Sequence, residues 1–113
     1  MNVTVTFRHL PSSDALRSHA LDKVDKFKKY LNEPLDIHIV LAVEKIRQIA
    51  EITVNSKNYR THAVEESQDM YTSIDKVVSK LETAIRRHKE KVKNHKIDHK
   101  SFDVITSTIP VLD

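Results

Sequence analysis

Residues 86–95 read RRHKEKVKNH, in which five of ten side chains are Arg or Lys and one is acidic. Fixed positive charge at that density neutralises a polyanion without help from a cofactor. His88, His95 and His99 follow one another at spacings of seven and four, so one helical face can present three imidazoles to a metal. No cysteine and no well-placed carboxylate completes such a set, and polar surface roles or phosphate contacts suit these histidines better. Catalysis needs a nucleophile with a base, or paired carboxylates in a cleft. Ser12, Ser13 and Asp14 read instead as a helix cap, and Glu65 and Glu66 precede the helix-start residues Ser67, Gln68 and Asp69. The expectation is a non-enzymatic protein with no cofactor, no metal and no small-molecule substrate.

The rest of the composition narrows the classes further. The 113 residues fit one domain. The chain has no glycine, so it lacks the loops that let backbone approach a phosphate: a Walker loop, a dinucleotide fingerprint and a nucleophile elbow are all excluded. It has no cysteine, which excludes disulfides and thiolate sites. No apolar run approaches the roughly 20 residues of a membrane span, and MNVTVTFRHL is not a signal peptide, so a cytoplasmic protein without membrane contact is expected. The net charge is +3, unevenly placed: residues 1–85 carry 12 basic and 12 acidic side chains, whereas residues 86–100 carry seven and two. A basic segment on a neutral body is an electrostatic footprint for a nucleic acid.

The elements that position this charge are legible from periodicity. Residues 2–8 alternate, with Val3, Val5 and Phe7 on one face, as a half-buried strand does. Ser12 or Ser13 caps a helix whose apolar face is Leu16, Ala20, Val24, Phe27 and Leu31, and Asn32-Glu33-Pro34 ends it. Residues 35–45, 47–56 and 58–65 read as three more strands, with Lys57-Asn58 as a turn in which Asn58 takes the left-handed conformation. A second helix runs from about 68 to 95, with Met70, Ile74, Val77, Val78, Leu81, Ile85, His88 and Val92 as its stripe. The order β-α-β-β-β-α predicts an α+β two-layer sandwich: a four-stranded mixed sheet with both helices on one face, the first two strands parallel neighbours and the other pairs antiparallel. Phe7, Phe27 and Tyr71 are expected in the core, and His19 packed at the edge of the first helix. Residues 96–113 lack a helical period and are expected to form a flexible tail after a domain of residues 1–95.

On a wheel of about 100° per residue centred on Leu81, the residues Lys76, Lys80, Arg87 and Lys91 share one flank of the second helix, and no acid of that helix interrupts them. Arg86, Lys89 and Lys93 lie on the other flank beside Asp75 and Glu82. Lys23, Lys26, Lys28 and Lys29 cluster late in the first helix, and the two basic edges are expected to border a common groove. For a single lysine, solvation of a helix is the simpler role. The whole set favours phosphate binding, because a balanced helix normally intersperses acids among its cations and the Lys76, Lys80, Arg87 and Lys91 flank has none from its own helix. Aromatic residues are too few for a sheet-wide platform that stacks splayed bases.

QDMYTSIDKVVSKLETAIRRHKEKVKNH (68–95) resembles the second helix of the ribosome hibernation promoting factors, a family that includes the ribosome-associated inhibitor A proteins and the sigma-54 modulation proteins. The carrying residues are Asp69-Met70-Tyr71, Ile74-Asp75, Lys80-Leu81 and the closing HKEKVKNH; DALRSHALDKVDKFKKYL (14–31) resembles the first helix, and LAVEK (41–45) the end of the second strand. The resemblance implies a fold similar to double-stranded-RNA-binding domains. It implies a partner, the small ribosomal subunit with its 16S rRNA, bound in the mRNA/tRNA channel near the decoding centre. Binding there would block translation and favour inactive paired ribosomes, in some bacteria beside a separate ribosome modulation factor. The family's RNA-contacting positions fall here on Lys23, Lys26, Lys80, Arg87, Lys89, Lys91 and Lys93; Lys76 and Arg86 join them as basic neighbours outside the family signature. At 113 residues the chain has no room for the dimerisation domain of long members, so it resembles the short branch, expected as a monomer in solution. Residues 96–113 exceed the shortest members and lack the acidic tail of the inhibitor A type, and the closing HKEKVKNH resembles the promoting branch; silencing of single ribosomes without pairing is the alternative. A regulatory module that binds another protein is the runner-up from a different class.

Overall fold

A computed structural model describes residues 1–101, with side chains through Lys91. The elements are β1 (Asn2–Arg8), α1 (Asp14–Val24), β2 (Asp36–Glu44), β3 (Arg47–Ser56), β4 (Tyr59–Ser67) and α2 (Met70–Ser101), with a 3-10 segment at Asp25–Lys29. The sheet order is β1-β2-β3-β4. β1 and β2 pair in parallel, Val3 opposite Ile37 and Phe7 opposite Leu41, and the other two pairs are antiparallel. This is the expected mixed sheet, because the crossover through α1 returns the chain parallel to β1 while two-residue turns force the hairpins antiparallel.

Alternation decides which face is covered. Ile37, Ile39 and Leu41 of β2 and Ala50, Ile52 and Val54 of β3 are buried, and their sequence neighbours face outward. The edge strand β4 buries only Ala63 fully, while β1 is half-buried throughout its inner face. Over this face lie Ala20, Val24 and Phe27 from the first helical segment and Met70, Ile74, Val77, Val78, Leu81 and Ile85 from α2. Burial of each large apolar side chain contributes about 1.5–3 kcal/mol, which is what holds the two layers together.

Local chemistry sets the helix ends. Of the two candidate serines, Ser13 is the cap: its Oγ accepts from the Leu16 N–H at 3.2 Å. The helix does not continue to Leu31 as one α-helix. It tightens into 3-10 geometry at Asp25, where residues three apart eclipse, which keeps Val24 and Phe27 facing the sheet together. At the start of α2, Asp69 Oδ2 accepts from both the N–H and the hydroxyl of Thr72 at 3.0 Å. Buried Ser73 donates to the Gln48 carbonyl at 2.6 Å, tying the first turn of α2 to β3.

Several expectations change. Helical backbone runs through Ser101 rather than stopping near 95; the remainder of the anticipated tail, residues 102–113, lies outside the described residues. Tyr71 is not core: it is 41% exposed and meets the His19 ring edge-on at 5.0 Å, because position 71 lies a third of a turn from the buried Met70. Lys57-Asn58 is the β3–β4 turn, but Asn58 is not left-handed. Among the described residues positive φ falls on His9 (63°) and Lys45 (58°), the latter in the β2–β3 turn, where a chain without glycine must place an ordinary side chain.

Candidate nucleic-acid interface

α2 runs antiparallel to β4. Ser73 touches Gln48 at one end, Lys76 and Lys80 meet Glu65 midway, and His88 lies on Tyr59 where the strand begins. This path gives α2 two flanks with different neighbours. One flank overhangs β4; the other packs against α1 and the 3-10 segment.

The β4 flank carries Lys76, Lys80, Arg87 and Lys91, all exposed. It is not free of acids. Glu65 comes from the inner face of β4 and places Oε2 3.3 Å from Lys80 Nζ and Oε1 3.8 Å from Lys76 Nζ. Lys76 also donates to the Glu66 carbonyl at 3.0 Å. The helical wheel reports only the acids of its own helix, so this strand contribution was invisible to it. Beyond Lys80 the flank changes: among the described residues, neither Arg87 nor Lys91 pairs with a carboxylate. Thr72, Ser79 and Thr83 run beside the lysines along an open hollow that Glu65 and Asp75 also line. The Thr72 hydroxyl is committed to Asp69 Oδ2 and the Thr83 hydroxyl donates to the Ser79 carbonyl at 3.2 Å, so these threonines flank the lysines without supplying a donor; their spacing with Lys76 and Lys80 on one helix surface is the signal that could have found the hollow.

The α1 flank is a charge-paired seam. Lys26 Nζ lies 3.2 Å from Glu82 Oε1, the Tyr30 hydroxyl donates to Glu82 Oε2 at 3.3 Å, and Lys23 Nζ sits 3.9 Å from Asp75 Oδ1. His19 Nε2 is 2.8 Å from the same Asp75 oxygen. The hydrogen bond from Lys26 holds the Glu82 carboxyl below its usual range, with further help from Tyr30 and the Arg86 charge and against partial desolvation. Lys89 reaches across to the Lys29 carbonyl at 3.5 Å, its ammonium 5.9 Å from the Tyr30 ring centre. The two basic edges therefore do not border one groove. Like-charged edges brought together would repel, and Asp75 and Glu82 stand between them instead.

Of the sequence-derived site residues, the fold groups Lys76, Lys80, Arg87 and Lys91 on one flank, and Lys23, Lys26, Arg86 and Lys89 around the helix seam. The side chains of Lys93, His95 and His99 lie outside the described residues. Among the described residues no group of three His, Cys, Asp or Glu side chains is placed to hold a metal ion, and no helix is long and apolar enough to cross a membrane.

A family model described as Sigma 54 modulation protein / S30EA ribosomal protein matches residues 3–93. The chain belongs to that family. The match takes in all four strands, α1 and the whole described flank of α2. The chain is 34% identical over 95 residues to the ribosome hibernation promoting factor of Salmonella typhimurium, covering 84% of this chain and 100% of the relative. Identity to the corresponding factor of Escherichia coli is 32% over 95 residues with the same coverage. Among solved structures, the N-terminal domain of Thermus thermophilus protein Y superposes with a TM-score of 0.71 at 30% identity, covering 77% of this chain and 98% of that domain. A ribosomal subunit interface protein from Coxiella burnetii gives the same TM-score at 27% identity, covering 80% and 99%. Two of these relatives are thus named as ribosome hibernation promoting factors and one as a ribosomal subunit interface protein.

Proposed function

We propose that this S30EA family member is a cytoplasmic, non-enzymatic ribosome hibernation factor. It binds the small subunit through 16S rRNA in the mRNA/tRNA channel near the decoding centre, blocks translation and favours inactive paired ribosomes. Nothing in the mechanism requires a bond to form or break. The rigid sandwich occupies space that mRNA and tRNA need, and cations along α2 neutralise rRNA phosphates as the complex forms.

One observation carries the reading: the β4 flank of α2, with Lys76, Lys80, Arg87 and Lys91 exposed in a row beside Thr72, Ser79 and Thr83. Lys76 to Lys91 spans about 22 Å at about 1.5 Å per residue, enough for several phosphates of one strand. Lys23, Lys26, Arg86, Lys89 and Lys93 extend the basic surface around the seam and along the helix. The ion pairs to Glu65, Asp75 and Glu82 do not oppose this, because the lysine of each pair is at least 36% exposed, so solvent screens the pair and the ammonium can exchange its carboxylate for a phosphate. The names of the similar proteins, ribosome hibernation promoting factors and a ribosomal subunit interface protein, support a ribosomal partner.

The test is co-sedimentation of the purified chain with ribosomal subunits across a salt series, with sucrose-gradient profiles. Saturable binding to small subunits that weakens steeply with salt, accompanied by a shift to paired ribosomes, is the expected result. Binding without pairing would make the protein a silencer of single ribosomes, and no binding at low salt would end the ribosome reading.

A further inference from the structure

Glu65 is an acid in a row of core positions. In the register of the sheet it continues Leu41 and Ala50, both fully buried, on the face that α2 covers. Its carboxylate therefore turns toward α2, where it lines an open hollow with Lys76 and Lys80. Oε2 lies 3.3 Å from Lys80 Nζ and Oε1 3.8 Å from Lys76 Nζ, and the Glu65 side chain is 24% exposed. Among the described residues those two ammonium groups are its only polar partners. We infer that Glu65 selects RNA over DNA: when Lys76 and Lys80 turn to phosphates, its carboxylate accepts a hydrogen bond from a ribose 2′-hydroxyl of the same strand. The inference deepens the RNA-binding reading of this helix flank and rests on it.

The other described acids that meet cations of α2 or the seam keep a partner when a lysine leaves. Asp75 retains His19 Nε2 at 2.8 Å, Glu82 retains the Tyr30 hydroxyl at 3.3 Å, and Glu66 is held by the Arg47 guanidinium at 2.6 Å. Glu65 retains none. The threonine hydroxyls along the hollow are committed, Thr72 to Asp69 Oδ2 and Thr83 to the Ser79 carbonyl. A strand laid along Lys76 and Lys80 covers the hollow, so it takes both cations and water from Glu65 together. A covered charged acceptor left without a donor carries its full desolvation penalty. The strand must then supply the donor beside its own phosphates. RNA carries one on every ribose as the 2′-hydroxyl, and the sugar of DNA has none. The cost falls only on the ligand that lacks the donor, which is how an unpaired group creates specificity. An inward charge on an edge strand also discourages pairing with a second sheet. That role is indifferent to what the lysines bind, so ligand preference separates the two.

The experiment uses the full chain and three end-labelled single strands of one length: oligouridylate, the same strand with fluorine in place of every 2′-hydroxyl, and oligodeoxyuridylate. All three carry the same phosphates and a base without amino groups. The fluorinated strand keeps the sugar pucker of RNA but has no donor at the 2′ position. Affinities are read by anisotropy at one fixed salt concentration, because phosphate binding varies with salt. Wild type is expected to bind oligouridylate roughly 5- to 30-fold more tightly than either of the others. Glu65→Leu, which continues the apolar row of Leu41 and Ala50, brings the three affinities together, chiefly by raising those of the fluorinated and deoxy strands. Equal binding of wild type to oligouridylate and its fluorinated counterpart overturns the inference. So does a preference that Glu65→Leu leaves intact, or absent binding of all three strands. Because the wild-type comparison needs no variant, a fold weakened by Glu65→Leu does not blunt the test. Failure here with intact binding to small subunits removes the selection by Glu65 alone; failure of both removes the RNA-binding reading as well.

Discussion

Replacing Arg87 and Lys91 together by Gln removes two exposed cations that face no carboxylate among the described residues, so under the proposed function the change removes two phosphate contacts and disturbs little else. Each phosphate left without its cation should lower the slope of log K against log salt by about 0.7 on a single strand and about 0.9 on a duplex. The double variant should therefore be flatter by roughly 1.4 to 1.8. Between about 50 and 200 mM salt, a fourfold rise, wild type should lose about 7- to 12-fold more affinity for small subunits than the variant does. Surface substitutions of this kind shift stability by no more than about 0.5 kcal/mol, so thermal unfolding should be nearly unchanged. Co-sedimentation of both proteins at four salt concentrations measures the two slopes. Parallel slopes would refute the assignment of Arg87 and Lys91 to phosphates, even if the absolute affinities differed.

Three further outcomes follow from the packing and the electrostatics. Ile85→Ala opens a fully buried site on α2 and should cost about 2–5 kcal/mol, read as a lower midpoint in urea at unchanged m-value; a loss below about 1 kcal/mol would show that α2 is not packed there as described. The Glu82 carboxyl is held below its ordinary value of 4.5, first by the Lys26 hydrogen bond, so its contribution is present above that value and disappears as pH falls through the depressed one. The stability gap between wild type and Glu82→Gln should then be largest near neutrality and close below about pH 4.5, and a gap independent of pH would contradict the pairing. Lys45→Gly relieves a left-handed residue at φ 58°, a relief of about 1–2 kcal/mol partly offset by the backbone freedom of glycine, for a net gain of up to about 1 kcal/mol. Asn58→Gly in the other two-residue turn should give no such gain, and equal effects at both turns would contradict the backbone assignment.

Much of the architecture was written in local periodicity. Ile37, Ile39 and Leu41 alternate because a strand buries every second residue, and Ile74, Val77, Val78, Leu81 and Ile85 recur at three and four because a helix buries one stripe. Those two rhythms, with Pro34 and the Lys57-Asn58 turn between them, suffice for element order, strand direction and the covered face. The concentration of cations on α2 is equally local, since residues one turn apart share a flank whatever lies beside them. What periodicity does not contain is the identity of the neighbour across a flank. Glu65 stands beside Lys76 and Lys80 only because α2 folds back along β4, and Asp75 and Glu82 meet Lys23 and Lys26 only because α1 docks on the opposite side. The Tyr59–His88 stack joins residues 29 positions apart, and no pattern within either segment announces it. By itself the sequence determined that a basic helix would lie on a four-stranded sheet. The tertiary structure alone decided which of its charges face an acid and which do not, because electrostatic partnership depends on distance in space and falls away over a few ångströms, while periodicity records only which way each side chain points.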